Sequence, residues 1–221
     1  RRYDRTAWTS IDPLAEKYYN VSPYAYCAGN PVNFVDPKGK EMWRFDQYGN
    51  LIDDDPLAYD EYDAFQIGRY NDQGEWEELH TIHMPLHSVR QEKSKNVLFS
   101  ISNDEVSVYA FEAMATHTCV EWSLAIYSDG TDAKIGTSNL ESRNHTLSES
   151  VKGKENDLTR VVHSHPTLPY ASKTDMEFYK SVMKHSKLCN LLFEIFYVPE
   201  EVYINFNDTG TLYDSQFYEV Q

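Results

Sequence analysis

Four residues whose side chains could bind a metal or take part in catalysis lie within a span of thirteen positions: His163, His165, Ser172 and Asp175. The segment Leu158–His165 is β-branched and apolar, which predicts a strand. Side chains two residues apart on a strand point to the same face, so the two imidazoles can converge on one metal ion. This spacing therefore predicts a metal site.

The residues after this strand supply a third ligand. Pro166 ends the strand, and apolar residues at helical spacing between positions 176 and 183 predict a helix that begins at Ser172. Asp175 would then lie in the first helical turn. Three protein ligands leave zinc a fourth position for water, as catalytic sites do. The alternative is structural, because Ser172 and Asp175 also fit a capping box.

Hydrolysis by such a site also needs a general base, and Glu121 is our first candidate. It lies inside the apolar segment Cys119–Tyr127, which predicts a strand. Burying a carboxylate is costly unless the charge is paired, and a metal site would pair it. The alternative is that Glu121 faces solvent from a half-exposed strand. Glu112, in a helix predicted from Asp104 to about Thr118, is the second candidate.

A second histidine cluster consists of His80, His83 and His87. On a helix, His83 and His87 would share a face. However, Pro85 lies between them and would disrupt that helix. We therefore expect no metal site in this cluster.

Composition narrows the function classes. Twenty basic and 35 acidic residues give a formal charge of −15, which opposes binding to nucleic acid. No apolar run approaches the roughly 18 residues of a membrane span. The three cysteines form no Cys-x-x-Cys pair, which argues against a disulfide framework and against a cysteine-rich zinc module. We predict neither a nucleic-acid partner nor a membrane span.

The remaining patterns predict an α/β fold with a mixed β-sheet flanked by helices. Residues 40–95 contain turn sequences between apolar runs and predict β-hairpins. Segment 128–157 is polar, and we expect it to be rich in loops. Two final strands are expected at Leu191–Val198 and Val202–Phe206, the second with alternating apolar residues.

The first 39 residues interleave aromatic residues with proline turns. They include Tyr3-Asp4-Arg5, Ser10-Ile11-Asp12-Pro13-Leu14 and Asn30-Pro31-Val32-Asn33-Phe34-Val35-Asp36-Pro37-Lys38-Gly39. This segment resembles the end of an RHS/YD-repeat core domain of the Bacteroidetes type. In that family the repeats form a β-cage shell, and the motif ending near Asp-Pro-x-Gly precedes a variable C-terminal toxin. The resemblance implies that residues 1–39 end the RHS core.

Glu121, followed by His163-Ser164-His165-Pro166 and then by Ser172-x-x-Asp175, resembles the motif of the JAB/MPN/JAMM metalloproteases. The resemblance implies a JAMM/cytidine-deaminase-like domain over residues 96–221. It also implies Zn2+ held by His163, His165 and Asp175. Glu121 would be the general acid/base, and Ser172 would stabilise the oxyanion. The segment after Glu121 lacks the glycines common in eukaryotic members, so ubiquitin specificity is not implied.

Together, the two resemblances predict the C-terminal toxin of a secreted RHS-type polymorphic bacterial effector, used in interbacterial competition. The toxin would be a zinc-dependent peptidase or isopeptidase that acts inside the target cell on a protein or peptide substrate, and a cognate immunity protein would bind it. The chain begins at Arg1 without an apolar signal region, so we expect a longer protein to carry the targeting signal.

Two other functions compete with this prediction. One is a non-catalytic interaction module with a JAMM-like fold that binds a target or an immunity protein. Metal content separates it from the enzyme. The other is a nuclease or deaminase toxin. The acidic charge and the absence of a Cys-x-x-Cys pair for a deaminase zinc site argue against it.

Overall fold

A computed structural model of the chain describes residues 42–54, 62–140, 145–186 and 191–212. All of these residues lie in one compact unit, Glu41–Gln221. The segment predicted to end an RHS core, residues 1–39, lies outside the described residues. No helix within the described ranges is long and apolar enough to cross a membrane.

The described residues form a mixture of strands and helices. The strands are β1 (Met42–Asp46), β2 (Leu51–Asp54), β3 (Tyr62–Tyr70), β4 (Trp76–Pro85), β5 (Val89–Gln91), β6 (Val97–Ile101), β7 (Ser123–Tyr127), β8 (Ala133–Thr137), β9 (Leu158–His165), β10 (Leu192–Tyr197), β11 (Val202–Asn207) and β12 (Gly210–Leu212). The helices are α1 (Asp104–His117), α2 (Thr146–Val151) and α3 (Lys173–His185), with a short 3-10 turn at Val198–Glu200.

The larger sheet has eight strands in the order β12-β11-β10-β9-β7-β8-β6-β5. β9 and β10 are parallel, and the other neighbouring pairs are antiparallel. A mixed sheet flanked by helices was predicted from the sequence, and this prediction is confirmed.

The two faces of this sheet belong to different cores. Successive side chains of β9 point to opposite faces, so Val161 packs in one core and Val162 in the other. α2 and α3 cover the face of Val161, where their Leu147 and Val182 are buried. His163 shares that face, which places the candidate ligands beneath α3.

The smaller sheet has four strands in the order β2-β1-β3-β4, with β1 and β3 parallel. Its apolar face is fully buried at Phe45 and Phe65, and both residues belong to the same core as Phe99 of β6 and Phe111 of α1. The predicted division between residues 95 and 96 therefore does not coincide with a break in the hydrophobic core. β5, which precedes that division, is an edge strand of the eight-stranded sheet.

Several element boundaries follow the sequence patterns closely. β9 spans the predicted Leu158–His165, and α1 ends one residue before the expected Thr118. The Asn103 side chain caps α1 by accepting a hydrogen bond from the backbone N of Val106 at 3.0 Å. The predicted hairpin turns are found between β1 and β2 and between β3 and β4.

One predicted boundary is wrong, and two elements were not predicted. The strand expected from Cys119 begins only at Ser123. The backbone of residues 119–122 instead bonds to Gln47, Leu140 and Ser164, which are remote in sequence. The polar segment 128–157 contains β8 and α2. β8 includes Lys134 and Gly136, which disfavour a strand locally, but it pairs with neighbours on both sides.

Candidate metal centre

Three potential ligands converge at the end of β9. His163 Nε2 lies 3.0 Å from His165 Nε2 and 3.2 Å from Oδ1 of Asp175. His165 Nε2 lies 3.6 Å from Oδ2 of Asp175. Within the part of the chain that the structure describes, these residues form a group whose ligand atoms all lie within 4.8 Å of one another. The structure therefore brings together the three ligands predicted from the sequence.

Helix capping positions Asp175 beside the histidines. Ser172 is the N-cap of α3, and its Oγ accepts a hydrogen bond from the backbone N of Asp175 at 3.2 Å. In return, the Ser172 backbone N donates to Oδ2 of Asp175 at 2.6 Å. This is a capping box, yet Oδ1 still faces His163. The structural and metal-binding roles are thus compatible in one carboxylate.

A backbone carbonyl orients His165. Its Nδ1 lies 3.0 Å from the carbonyl oxygen of Leu168. Because a carbonyl can only accept, Nδ1 carries the hydrogen in this bond, and the lone pair of Nε2 points toward the cluster. Metal-ligating histidines are commonly fixed in this way through their second nitrogen. His163 Nδ1 is buried and has no hydrogen-bond partner among the described residues.

The electrostatics of the cluster favour a cation. Burial lowers the pKa of His163, which keeps its imidazole neutral. Burial also acts to raise the pKa of Asp175, but the interactions with His163 and His165 outweigh it and hold that pKa well below its usual range. For His165, burial acts to lower the pKa, but the nearby carboxylates of Asp175 and Glu121 outweigh burial, so the pKa is raised. The carboxylate is therefore ionised, and His163 supplies a neutral nitrogen donor.

This donor set fits zinc. Two imidazole nitrogens and one carboxylate oxygen match the protein ligands of known catalytic zinc sites, which keep a further position open. A hydrogen bond between the Nε2 atoms of His163 and His165 involves only two of the three clustered residues. A single cation could be bound by both nitrogens and by the Asp175 carboxylate at once. His163, His165 and Asp175 would hold the ion.

Glu121 lies at the edge of the cluster. Its Oε1 is 3.9 Å from His165 Nε2, and its side chain is buried. Burial raises the pKa of Glu121 to about 7, with His165 lowering it and Asp175 raising it by smaller amounts. The residue belongs to the loop before β7 and not to the strand itself. The second candidate, Glu112, accepts a hydrogen bond from the Tyr203 hydroxyl at 2.7 Å and does not line the cleft described next.

A cleft of about 390 Å³ opens beside the cluster. All five site residues predicted from the sequence line it: Glu121, His163, His165, Ser172 and Asp175. A second part of the lining comes from α2 and from the turn between β9 and α3, and it includes His145, Leu168 and Tyr170.

Sequence reasoning missed these additional lining residues. Leu168 and Tyr170 are 60% and 55% exposed, so two large side chains are open to solvent beside the buried cluster. The available signal was the short segment Thr167-Leu168-Pro169-Tyr170 after His165-Pro166, which places two large side chains in a proline-containing turn. His145 belongs to no motif, and only the position of α2 brings it to the cleft.

The histidines of the second cluster have other contacts. The ring of His80 stacks on His117 of α1 at 3.9 Å between centroids. The ring of His83 lies 4.1 Å from Tyr62. His87 has a positive φ of 61° in the turn after β4.

The fold and the site define an α/β domain with a candidate zinc centre and a carboxylate beside it. Comparison with known families adds a more specific result: residues 99–187 match the family model described as JAB-like toxin 1. This part of the chain is therefore similar to a JAB-like toxin domain, and it contains all five predicted site residues. No curated protein and no solved structure matches the chain.

Proposed function

We propose that this domain is a zinc-dependent peptidase or isopeptidase and that it acts as a toxin. The observation that carries the proposal is the convergence of two histidines and an aspartate with a buried glutamate in one cleft. The match to a JAB-like toxin family supports the toxin role.

Three residues, His163, His165 and Asp175, would hold the ion. When bound, zinc would supply a water nucleophile at neutral pH and polarise the carbonyl of the scissile bond. The Leu168 carbonyl keeps the hydrogen of His165 on Nδ1 and so presents the lone pair of Nε2 to the site. The capping box holds Asp175 in the first turn of α3.

Glu121 and Ser172 would carry the proton chemistry. Glu121 would take the proton of the attacking water as the new C–O bond forms. It would then deliver that proton to the leaving nitrogen as the C–N bond breaks. The Ser172 hydroxyl accepts a bond from Asp175 N and can still donate its own hydrogen, which would stabilise the oxyanion.

The cleft also suggests the kind of side chain that the substrate carries. Leu168 and Tyr170 belong to a turn that is fixed near both ends, because Leu168 O bonds to His165 Nδ1 and Ala171 N donates to Thr211 Oγ1 at 2.7 Å. Two exposed apolar side chains held in place beside the site favour an apolar substrate side chain next to the cleaved bond.

The RHS-like first segment is the basis for a proposal on how the domain reaches its target cell and how the producing cell is protected from it. We propose that the longer protein is secreted, that this domain acts in the target cell, and that a cognate immunity protein binds it. The charge of −15 favours a basic partner. Every proposed site residue lies at or after Glu121, so removal of residues 1–39 should leave zinc content and peptide cleavage unchanged.

The decisive test replaces Glu121 with Gln. Glu121→Gln removes the proton acceptor but no ligand, so zinc content and thermal stability should stay close to wild type. Cleavage of a peptide library, followed by mass spectrometry, should fall by about 10²- to 10⁴-fold. Glu112→Gln is the matched control, because glutamine can still accept the bond from Tyr203.

The result also separates the enzyme from a binding module. A Glu121→Gln protein that binds zinc, folds normally and stays fully toxic would contradict hydrolysis and favour the interaction module. Loss of cleavage in Glu112→Gln alone would show that the base is Glu112.

A further inference from the structure

The turn between β1 and β2, residues 47–50, contacts the segments that hold Glu121. The backbone N of Cys119 donates to the carbonyl of Gln47 at 2.8 Å. The Asn139 side chain donates to the carbonyl of Tyr48 at 3.1 Å. This turn lies outside the range that matches the toxin family, so the family comparison gives it no role.

These contacts are only one step from the backbone of Glu121. Thr137 Oγ1 donates to the carbonyl of Glu121 at 2.7 Å and accepts from the backbone N of Asn139 at 3.0 Å. The backbone N of Glu121 donates to the carbonyl of Leu140 at 3.2 Å. Segment 137–140 thus bonds to both the backbone N–H and the carbonyl of Glu121. Residues 47–50 contact this segment through Asn139.

Gly49 makes the approach of the turn possible. It is buried with a φ of +69°, in the left-handed region that favours glycine. A Cβ at this position would lie 2.8 Å from Cγ2 of Val120 and 3.2 Å from Cγ2 of Thr137. Val120 precedes Glu121 in the chain, and Thr137 holds the Glu121 carbonyl. A larger residue would therefore press directly on the two supports of Glu121.

The residue after Glu121 is also held by β1. The Trp122 ring is fully buried and meets Phe45 edge-on at 5.9 Å between centroids. Its backbone N donates to Ser164 Oγ at 2.8 Å, and Ser164 N donates to the Trp122 carbonyl at 2.8 Å. Ser164 lies between the two candidate histidine ligands. Glu121 is thus held between neighbours that both rest on β1 or its turn.

We propose that β1 and the turn 47–50 form a positioning element for Glu121. They set where its carboxylate lies relative to His165 without touching the reacting atoms. The inference rests on the proposed function, because it assigns the turn to the support of the general base. It makes the four-stranded sheet part of the catalytic unit.

The test compares two glycines in equivalent settings. Gly49 and Gly74 both occupy hairpin turns with positive φ, at +69° and +78°. A Cβ on Gly74 would meet nothing within 4 Å, whereas one on Gly49 would meet Val120. Gly74→Ala therefore matches the backbone strain of Gly49→Ala without its contacts.

The expected result is a selective loss of turnover. Gly49→Ala should lower kcat for a cleaved library peptide by about 10- to 100-fold, because small misplacements of a catalytic group have effects of this size. KM and zinc content should stay near wild type, since all three candidate ligands belong to β9 and α3. Gly74→Ala should leave kcat unchanged.

A second variant covers the case in which Gly49→Ala folds poorly. Asn139→Gly removes the side-chain bond to Tyr48 O and keeps a residue that tolerates the φ of 60° at that position. It should lower kcat several-fold with zinc retained. In a Glu121→Gln background, neither variant should reduce the residual rate further, because the group that they position is already absent.

The outcomes are distinguishable. If neither Glu121→Gln nor Glu112→Gln lowers turnover, the proposed function fails. If Glu121→Gln abolishes turnover while Gly49→Ala and Asn139→Gly behave like Gly74→Ala, the positioning role is overturned and the function stands. Equal losses of zinc and kcat in Gly49→Ala would also overturn it, because they would indicate general damage to the fold.

Discussion

The two parts of the candidate site are assembled in opposite ways. The candidate ligands His163, His165 and Asp175 come from one continuous strand–turn–helix segment. Glu121 comes from an irregular loop whose backbone bonds to Leu140, Thr137 and, through its neighbours, to residues 47 and 164. The group of candidate ligands is formed locally, whereas the position of Glu121 depends on both sheets.

This difference shows which damage each part tolerates. The ligand geometry depends on strand alternation and one helix cap, so it should survive changes elsewhere in the fold. The position of Glu121 depends on packing between remote segments. Changes in the four-stranded sheet should therefore affect turnover before they affect metal binding.

The largest expected effect comes from removing a ligand. His163→Ala or Asp175→Ala should abolish stoichiometric zinc in the purified protein, because two donors remain where three converged. His83→Ala is the control and should keep its zinc, since that ring packs on Tyr62. Metal analysis by mass spectrometry checks this. Zinc retained in His163→Ala but lost in His83→Ala would place the centre in the other histidine cluster.

Ser164→Ala tests the joint between the two parts. Ser164 is fully buried, and its loss would leave the backbone N of Trp122 without its acceptor. The free energy of unfolding should fall by about 1–3 kcal/mol, as for other unsatisfied buried donors. Zinc should be retained and peptide cleavage reduced.

Denaturant unfolding measures that loss of stability, with Ser181→Ala on the exposed face of α3 as the control. If Ser164→Ala loses zinc and cleavage to the same extent, the two parts of the site are not independent.

Leu168→Ala sharpens the comparison at the cleft wall. The substitution keeps the carbonyl that orients His165 but removes an exposed apolar side chain. KM for peptides with a large apolar residue beside the cleaved bond should rise about tenfold, since small apolar groups are worth about 1–3 kcal/mol in such pockets. Zinc content and kcat should not change.

Steady-state kinetics on such peptides measure the effect. Leu192→Ala, at a similarly exposed leucine on β10 that does not line the cleft, provides the control. An unchanged KM in Leu168→Ala would remove the apolar subsite from the proposal.

The smallest effect concerns the pH dependence of stability around β8, which carries Thr137. Hydrogen bonds from Lys134 and then Ser100 lower the pKa of Glu92 from 4.5 to about 2. A depressed carboxyl pKa contributes stability above about pH 4.5, and this contribution is lost as the pH falls toward 2. After allowance for solvent screening, we expect a loss of about 1 kcal/mol over that window.

Glu92→Gln should abolish this part of the pH dependence, and Glu177→Gln, on an exposed helix face, should not. Thermal unfolding between pH 5 and pH 2.5 provides the measurement. An unchanged slope in Glu92→Gln would show that the Lys134 contact contributes nothing to stability.

The same contrast explains which parts of the fold and of the candidate site could be predicted from the sequence. The convergence of His163, His165 and Asp175 could be predicted because strand alternation and a helix N-cap are local rules that leave a local pattern. Glu121 could be selected because it is an acidic residue in an apolar segment. Its loop was wrongly predicted as a strand, because the hydrogen bonds that shape the loop go to residues that are remote in sequence. β8 was missed for the same reason: Lys134 and Gly136 disfavour a strand, and only pairing with β6 and β7 forms one. For Leu168 and Tyr170, the sequence shows only that the side chains are large and apolar, which does not predict a position in the cleft.

The buried aromatic cluster that joins the two sheets limits where this domain can be cut without loss of its core. Phe99 and Trp122 are covered in part by Phe45 and by Trp43. A graft that began at residue 96 would expose this surface and lose the support of Glu121, although it would keep every ligand. The smallest portable piece must therefore begin upstream of β1, even though the family match begins at residue 99. A cut within the four-stranded sheet would keep the three candidate ligands but expose aromatic core surface, which favours aggregation.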